Sequence, residues 1–297
     1  MNIIHLRSFY NTVKYKSISK AAKELHLSQP GLSMQIQNLE NTLGVSLLNR
    51  SRRGVDLTDE GKIVYDYADS ILSLEDNMLI SLQNLSKRNN NIKIGSCKSM
   101  GEYALPCTLY TFKQIYSDIN ISMHIDSTFS IIKKIQDMTL NLGIIQESSV
   151  PNDLECKVIL SDELVLVANK DYPHSKIYIS DLYDLPIVMR DYDSATRVNL
   201  ENILKKNGID INRLNVIFEF NSLEAIKQSV SSGKYFSFIP KITIRQELRD
   251  QSLKSVIVEN LDTKFNYYIS YRKNHTFSKS EKCFMKFILS KSRCFCY

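Results

Sequence analysis

The sequence predicts an α/β protein: a small helix-turn-helix head with a two-stranded wing, one long helix, and a larger α/β region built as two lobes. Three observations carry this. Residues 1–58 show helical periodicity broken by a short turn, followed by two short extended segments around Gly54. From residue 59 apolar residues recur three and four apart through Leu85, the spacing of a single long helix. Beyond residue 91 period-two strands alternate with helices, which argues for a parallel sheet with helices on its faces. Two such lobes leave a crevice beyond the carboxyl ends of their strands.

At 297 residues the chain has room for about two domains, each with its own core. The charge is unevenly spread. Residues 1–58 carry eight basic groups (Arg7, Lys14, Lys16, Lys20, Lys23, Arg50, Arg52, Arg53) against three acidic ones, five of the six net positive charges. A basic head on a near-neutral body points to a polyanion partner for the head alone. The first residues hold neither the basic region nor the apolar stretch of a signal peptide, and no run is long enough to span a membrane, so the cytoplasm is expected. Six scattered cysteines without metal-ligand spacing are expected as reduced thiols, and neither a metal nor a cofactor is expected.

In chain order, residues 3–15 read as a first helix, with Ile4, Leu6, Phe9, Tyr10 and Val13 on its apolar positions. Residues 19–25 form a second, where Ala21 and Ala22 allow a close crossing, and His26-Leu27 is a link short enough for a helix-turn-helix. Ser28 caps the third helix and Pro30 sits in its first turn, where a missing N–H costs nothing. Leu32, Ile36, Leu39 and Leu43 give it one buried stripe. The opposite face, Gln29, Ser33, Met34, Gln37 and Asn38, is uncharged and rich in amide and hydroxyl groups able to read base edges. Around Gly54 a hairpin wing would carry Arg50, Arg52 and Arg53 toward a sugar-phosphate backbone, supplying affinity and salt dependence rather than sequence reading. With Lys20, Ser28 and Pro30, these are the candidate DNA-binding residues.

Thr58 caps the long helix, whose first turn holds Asp59 and Glu60 at the positive end of the dipole. Its positions Val64, Tyr67, Ile71, Leu74, Met78, Leu82 and Leu85 approach a heptad seam, which favours pairing with a second chain. The polar stretch at residues 86–91 marks the domain boundary. Strands are expected at residues 91–96, 119–125, 142–146, 163–168, 187–190, 216–220, 236–239 and 267–271. Helices are expected at 103–116, 128–137, 195–206, 223–232, 242–248 and 278–291. Phe236 and Phe238 read as core.

The run Ser19-Lys-Ala-Ala-Lys-Glu-Leu-His-Leu-Ser-Gln-Pro-Gly-Leu-Ser33, then Leu39-Glu40, Leu43-Gly44, Leu47-Leu48-Asn49-Arg50 and Leu57-Thr58-Asp-Glu-Gly61, resembles a LysR-type transcriptional regulator over about sixty contiguous residues. The second half resembles that family's effector domain, built like a periplasmic binding protein, at residues 94–106, 142–145, 188–197 and 222–230. The resemblance implies a winged helix-turn-helix DNA-binding domain at residues 1–58, a linker and dimerisation helix at 59–88 and an effector-binding domain at 91–297. Lobe I of that domain would comprise residues 91–162 and 267–297, and lobe II residues 163–266. It implies double-stranded promoter DNA and a small-molecule effector as partners. It also implies a homodimer through residues 59–88, a homotetramer as a dimer of dimers, and RNA polymerase as a further contact. Met34 and Gln37 depart from the family's usual basic residues, so grip on the backbone falls to Lys20 and the wing.

Several helix N-termini should face the crevice, each a ready site for an anion. Lys98, Ser99 and Met100 follow the first strand of the body, Ser127 and Thr128 open the next helix, Ser194 and Thr196 open a helix of the second lobe, and Gln146 ends a strand. Ser99 and Thr128 match contact positions in the resembled family. Together these are the candidate effector-binding residues, and an anionic metabolite such as a carboxylate or oxyanion suits them best. Serine and threonine at such places also serve simply as helix caps.

Other classes fit less well. An enzyme would want a glycine-rich phosphate loop, a G-x-S-x-G elbow or paired histidines, and the sequence holds none of these. A transport solute-binding protein would need export and no basic head. A redox sensor would need a reactive thiol; Cys97 beside Lys98 is the one candidate, with a pKa expected to be lowered.

Overall fold

The computed structural model describes residues 1–51, 54–86, 90–146, 151–291, 293 and 295. The chain divides into two compact units, Met1–Asn89 and Asn90–Tyr297.

In the first unit α1 (Ile3–Tyr15) starts at Asn2, whose side chain accepts from Ile4 N at 2.9 Å. The second helix, α2 (Ile18–Glu24), starts at Ser17, and the chain then turns through His26 at φ +53°. The third, α3 (Gln29–Leu43), has Ser28 accepting from Gly31 N at 3.2 Å and Pro30 in its first turn, and it ends at Gly44 with φ +73°. Leu32, Ile36 and Leu39 are buried against Leu6, Phe9, Ala21 and Ala22, each large apolar side chain contributing about 1.5–3 kcal/mol. Leu43 does not join them. It is 37% exposed in the last turn, where the axis of α3 has carried the stripe past its neighbours.

The wing is an antiparallel pair, β1 (Leu48–Ser51) and β2 (Gly54–Leu57), with Leu48 opposite Leu57. Glu40 fixes its root, accepting from Leu47 N at 2.7 Å and Leu48 N at 3.3 Å. Arg52 and Arg53 lie outside the described residues, as does the side chain of Arg50.

The long helix α4 (Asp59–Ser86) has Gly61 N donating to Thr58 Oγ1 at 2.9 Å. Gly61 is a glycine because a Cβ there would stand 2.1 Å from the carbonyl oxygen of Leu47. The expected seam is split between two faces. Val64 and Ile71 pack on the core of the head, with Ala68 and Leu72 fully buried, whereas Ile63, Tyr67, Leu74, Met78 and Leu82 are exposed. The reason is α1, which lies along α4 and covers one side of it. Arg7 pairs with Glu75 at 2.8 Å and Asp76 at 2.9 Å, and Tyr10 donates to Asp69 at 2.6 Å while stacking on Tyr65. The side chain of Leu85 lies outside the described residues.

The second unit runs β3 (Asn91–Cys97), α5 (Lys98–Tyr103), α6 (Leu105–Ile115), β4 (Asn120–Asp126), α7 (Thr128–Gln136), β5 (Leu142–Gln146) and β6 (Leu154–Asn169). It continues with β7 (Lys176–Ile177), β8 (Ile187–Arg190), α8 (Ala195–Lys206), β9 (Val216–Phe220), α9 (Leu223–Ser232) and β10 (Ser237–Pro240). The chain ends with α10 (Arg245–Arg249), β11 (Leu253–Val258), β12 (Lys264–Arg272) and α11 (Lys279–Ile288). One sheet has the order β4-β3-β5-β12-β6-β11-β7 with β10 also on β6, and β8 and β9 form a separate parallel pair.

The main sheet is mixed rather than parallel. β3 is parallel to β4 and β5, but β12 returns antiparallel between β5 and β6. The strand expected at 163–168 is the second half of β6. Its first half, Leu154 to Glu163, pairs with β12, and its second half pairs with β10 and β11. The helix expected at 103–116 is α6, with Pro106 in its first turn, after the separate short helix α5. Phe236 and Phe238 are buried in the core. α11 begins with a capping box, Ser278 accepting from Glu281 N and Glu281 from Ser278 N.

Cys97, Cys156 and Cys283 are free thiols. Cys107 is disulfide-bonded, a departure from the expectation of reduced thiols throughout. Cys294 and Cys296 lie outside the described residues. Among the described residues, no helix is long and apolar enough to cross a membrane.

Candidate functional site

Two sites emerge, one in each unit. On α3 the residues opposite the buried stripe are free to meet a partner. Ser28, Gln29, Pro30, Met34, Gln37 and Asn38 are exposed and Ser33 is half-buried. Gln37 Nε2 donates to Asn41 Oδ1 at 3.3 Å, which holds its amide along the helix. Lys20 is exposed on α2, where its backbone N–H donates to Ser17 Oγ at 3.3 Å. The face is uncharged along α3 itself.

In the second unit, Lys98, Ser99, Ser127, Thr128, Gln146, Ser194 and Thr196 line one cavity, which also has Cys97, Arg190, Asp191, Asp193 and Ala195 in its wall. Seven residues from four separate stretches of sequence thus come together. Met100 does not line the cavity: its side chain is fully buried in the hydrophobic core beneath α5.

The cavity lies where helices begin. Ser127 caps α7, accepting from Ser130 N at 3.1 Å, while Ser194 at the start of α8 makes no such side-chain bond. Thr196 Oγ1 donates to Gln146 Oε1 at 2.8 Å, joining α8 to the end of β5. Gln146 N donates to Thr128 Oγ1 at 3.3 Å. Tyr267 on β12 donates its phenolic proton to Ser99 Oγ at 2.9 Å, and burial raises the Tyr267 pKa well above the ordinary value. The cavity measures about 30 Å³, room for a water or one small chemical group.

Lys98 reaches across this gap, its amine donating to Asn221 O at 3.0 Å rather than standing free at the rim. Cys97 is not an activated thiol. Burial pushes its pKa up to about 11, only partly offset by the Met100 N–H and the Ser99 hydroxyl, so the thiolate needed for oxidation chemistry is disfavoured.

Arg190 is the residue that sequence reasoning missed. It is 6% exposed at the end of β8. The signal was there: a charged residue closing the apolar run Ile187-Val188-Met189 sits at a strand's carboxyl end, where open α/β sheets bind ligands. Tyr267 left no comparable mark, being one of several aromatic residues in β12.

Comparison with known proteins gives the family. The model described as a bacterial regulatory helix-turn-helix protein of the lysR family matches residues 3–62, and that described as the LysR substrate binding domain matches residues 86–293. A probable RuBisCO transcriptional regulator of Thalassiosira pseudonana is 35% identical over 265 residues, covering 86% of each chain. One of Cyanidioschyzon merolae is 34% identical over 293 residues, covering 96% of each. Among solved structures, full-length CbnR complexed with its target DNA is similar with TM-score 0.74 and 18% identity, covering 97% of this chain and 99% of that one. The Synechocystis PCC6803 CcmR regulatory domain in complex with 2-PG is similar with TM-score 0.62 and 24% identity, covering 67% of this chain and 95% of that one. These two likenesses concern the fold. The helix-turn-helix head, the ligand-binding body and the relatives agree, and the chain belongs to the LysR family of DNA-binding transcriptional regulators rather than to any class of enzyme.

Proposed function

We propose that this regulator acts on promoter DNA of RuBisCO genes, the target that the names of its relatives state for them, and that a small anionic effector in the cavity of the second unit controls it. The head spans residues 1–58, the linker helix 59–88 and the effector domain 91–297, with lobe I at 91–162 and 267–297 and lobe II at 163–266. The handover of β6 from β12 to β10 at Glu163 and Leu164 supports that division. Gln29, Ser33, Met34, Gln37 and Asn38 read bases, with Ser28 and Pro30 placing the first turn of α3. Lys20, Arg50, Arg52 and Arg53 hold the backbone. Lys98, Ser99, Ser127, Thr128, Gln146, Ser194 and Thr196 surround the effector. The protein works in the cytoplasm as a homodimer paired through α4, and as a tetramer on DNA.

The observation that carries the DNA assignment is the exposed, uncharged face of α3 opposite its buried stripe. The logarithm of the affinity for a promoter fragment should fall linearly with the logarithm of salt concentration. Replacing both Arg50 and Arg52 by alanine should weaken binding and reduce the slope by about two counterions per bound protomer. Fluorescence anisotropy across a salt series reads both quantities. An unchanged slope in the double variant would assign the grip to another element.

A further inference from the structure

Lys227 on α9 is a buried cation that lies outside the cavity. Its amine pairs with Glu224 at 2.9 Å and with Glu247 of α10 at 2.8 Å. The ring of Tyr103 covers it as well, with the amine 4.2 Å from the ring centroid. The negative face of an aromatic ring attracts a cation most strongly where water is kept out. Glu224 and Glu247 follow the handover of β6 at Glu163 and Leu164, as Lys227 does. Tyr103 precedes it, as the last residue of α5.

Three kinds of contact hold Tyr103 across that divide. Its hydroxyl donates to Glu224 Oε1 at 2.5 Å. Burial, and then the Glu224 carboxylate, raise its pKa far above the ordinary phenol value, so the hydroxyl stays a donor. Its ring packs on the apolar cluster that contains Leu223, Ile226, Val230 and Ile244. The buried members of that cluster all lie between residues 167 and 253, and Tyr103 alone of the partly buried residues packed on it comes from before residue 163, among the described residues. The other end of α5 is tied to the same place, since the Lys98 amine donates to Asn221 O at 3.0 Å. Asn221 and Glu224 flank Ser222, the cap of α9. Both ends of one short helix are thus fastened to the start of another. On its own side α5 is held as firmly: Met100 is fully buried in the main core, and a Cβ at Gly101 would stand 2.8 Å from the Ile125 side chain on β4.

We infer, on the reading that the lobes divide at residue 163, that α5 is a clasp between them. Tyr103 is its pin, and the cluster of Glu224, Lys227 and Glu247 is the socket. The clasp is made of protein groups alone, so it fastens the lobes on the side of α5 and α9 without help from an effector. The ring and the hydroxyl have separate parts: the ring seals Lys227 from water, and the hydroxyl bond, strengthened by its charged acceptor, fixes the ring in place. Lys98 and Ser99 of α5 also belong to the cavity wall, so release of Tyr103 loosens that wall.

Hydrogen exchange of the full chain, followed by mass spectrometry of its peptides, tests the clasp. Tyr103→Phe keeps the ring and removes the bond to Glu224, whereas Tyr103→Ala removes both. Peptides covering 99–104 and 223–228 should exchange together, about tenfold faster in Tyr103→Phe than in the wild type and faster again in Tyr103→Ala. The amides of β3 and β8 should keep their wild-type rates. If Tyr103→Ala does not fold, Tyr103→Phe decides. Wild-type rates for both peptides in the variants, with β3 and β8 still exchanging independently of each other, overturn the clasp and leave the lobes. A rise spread evenly through residues 163–266, with 99–104 unchanged, makes Tyr103 a filler of one lobe's core and also overturns the clasp. One common rate for β3, β8 and both peptides in every variant, set by global unfolding, overturns the division into lobes and the clasp with it.

Discussion

Asp162 shows how much one side chain can report about the place where β6 changes its pairing from β12 to β10. It sits on β6 opposite Phe265 and accepts from Ile242 N at 3.2 Å. Burial raises its pKa to about 6, against the pull of the backbone donors and of Arg245. The folded state therefore binds the proton more tightly than the unfolded chain, whose Asp titrates near about 3.9. Stability attached to this proton is full below about pH 4 and is lost as the pH rises through about 6. The variant Asp162→Asn keeps an acceptor for Ile242 N and has no charge to bury. It should match the wild type near pH 4 and exceed it by about 3 kcal/mol above pH 7, read from urea melts across that range. A constant offset at all pH values would mean that the carboxyl does not change its ionisation on unfolding. At this scale the sequence was least legible. Nothing in Leu160-Ser161-Asp162-Glu163 marks Asp162 as half-buried, because its cover comes from residues about eighty and one hundred positions later.

Elements whose stabilising contacts are local could be read well. Ser28, Pro30 and Gly44 mark the ends of α3 within its own sequence, and the buried stripe follows a 3.6-residue period. The first half of β6 could not be read, since Leu154-Glu-Cys-Lys-Val-Ile-Leu lacks clean alternation and gains its strand conformation from β12. The α4 stripe falls between these cases: its spacing was visible, but which side α1 covers was not. The exposed side, Tyr67, Leu74, Met78 and Leu82, presents apolar area that only another surface can remove from water. Leu74→Glu with Met78→Glu should convert the dimer to monomer in analytical ultracentrifugation and lower promoter affinity, while the far-ultraviolet circular dichroism stays unchanged. Persistence of the dimer would place pairing elsewhere.

For the whole molecule, the two units have separate hydrophobic cores, one around Phe9, Ile36 and Leu39 and the other spread through the main sheet. Differential scanning calorimetry should resolve two transitions. An anion present at 100 times its Kd should raise the stability of the second unit by about 2.7 kcal/mol and leave the first in place. A single transition shifted as one would show that the units unfold together. The overall α/β class was legible because strand and helix periods differ, whereas the mixed pairing depends on β12 returning after more than a hundred residues.

The exposed stripe of α4 has a consequence for gene control. If only paired heads grip a promoter, occupancy at low protein levels rises with the square of the regulator's concentration until pairing saturates. The cell's supply of this chain then becomes an input in its own right. A twofold change in synthesis reads out as about fourfold at the promoter, before any metabolite is sensed.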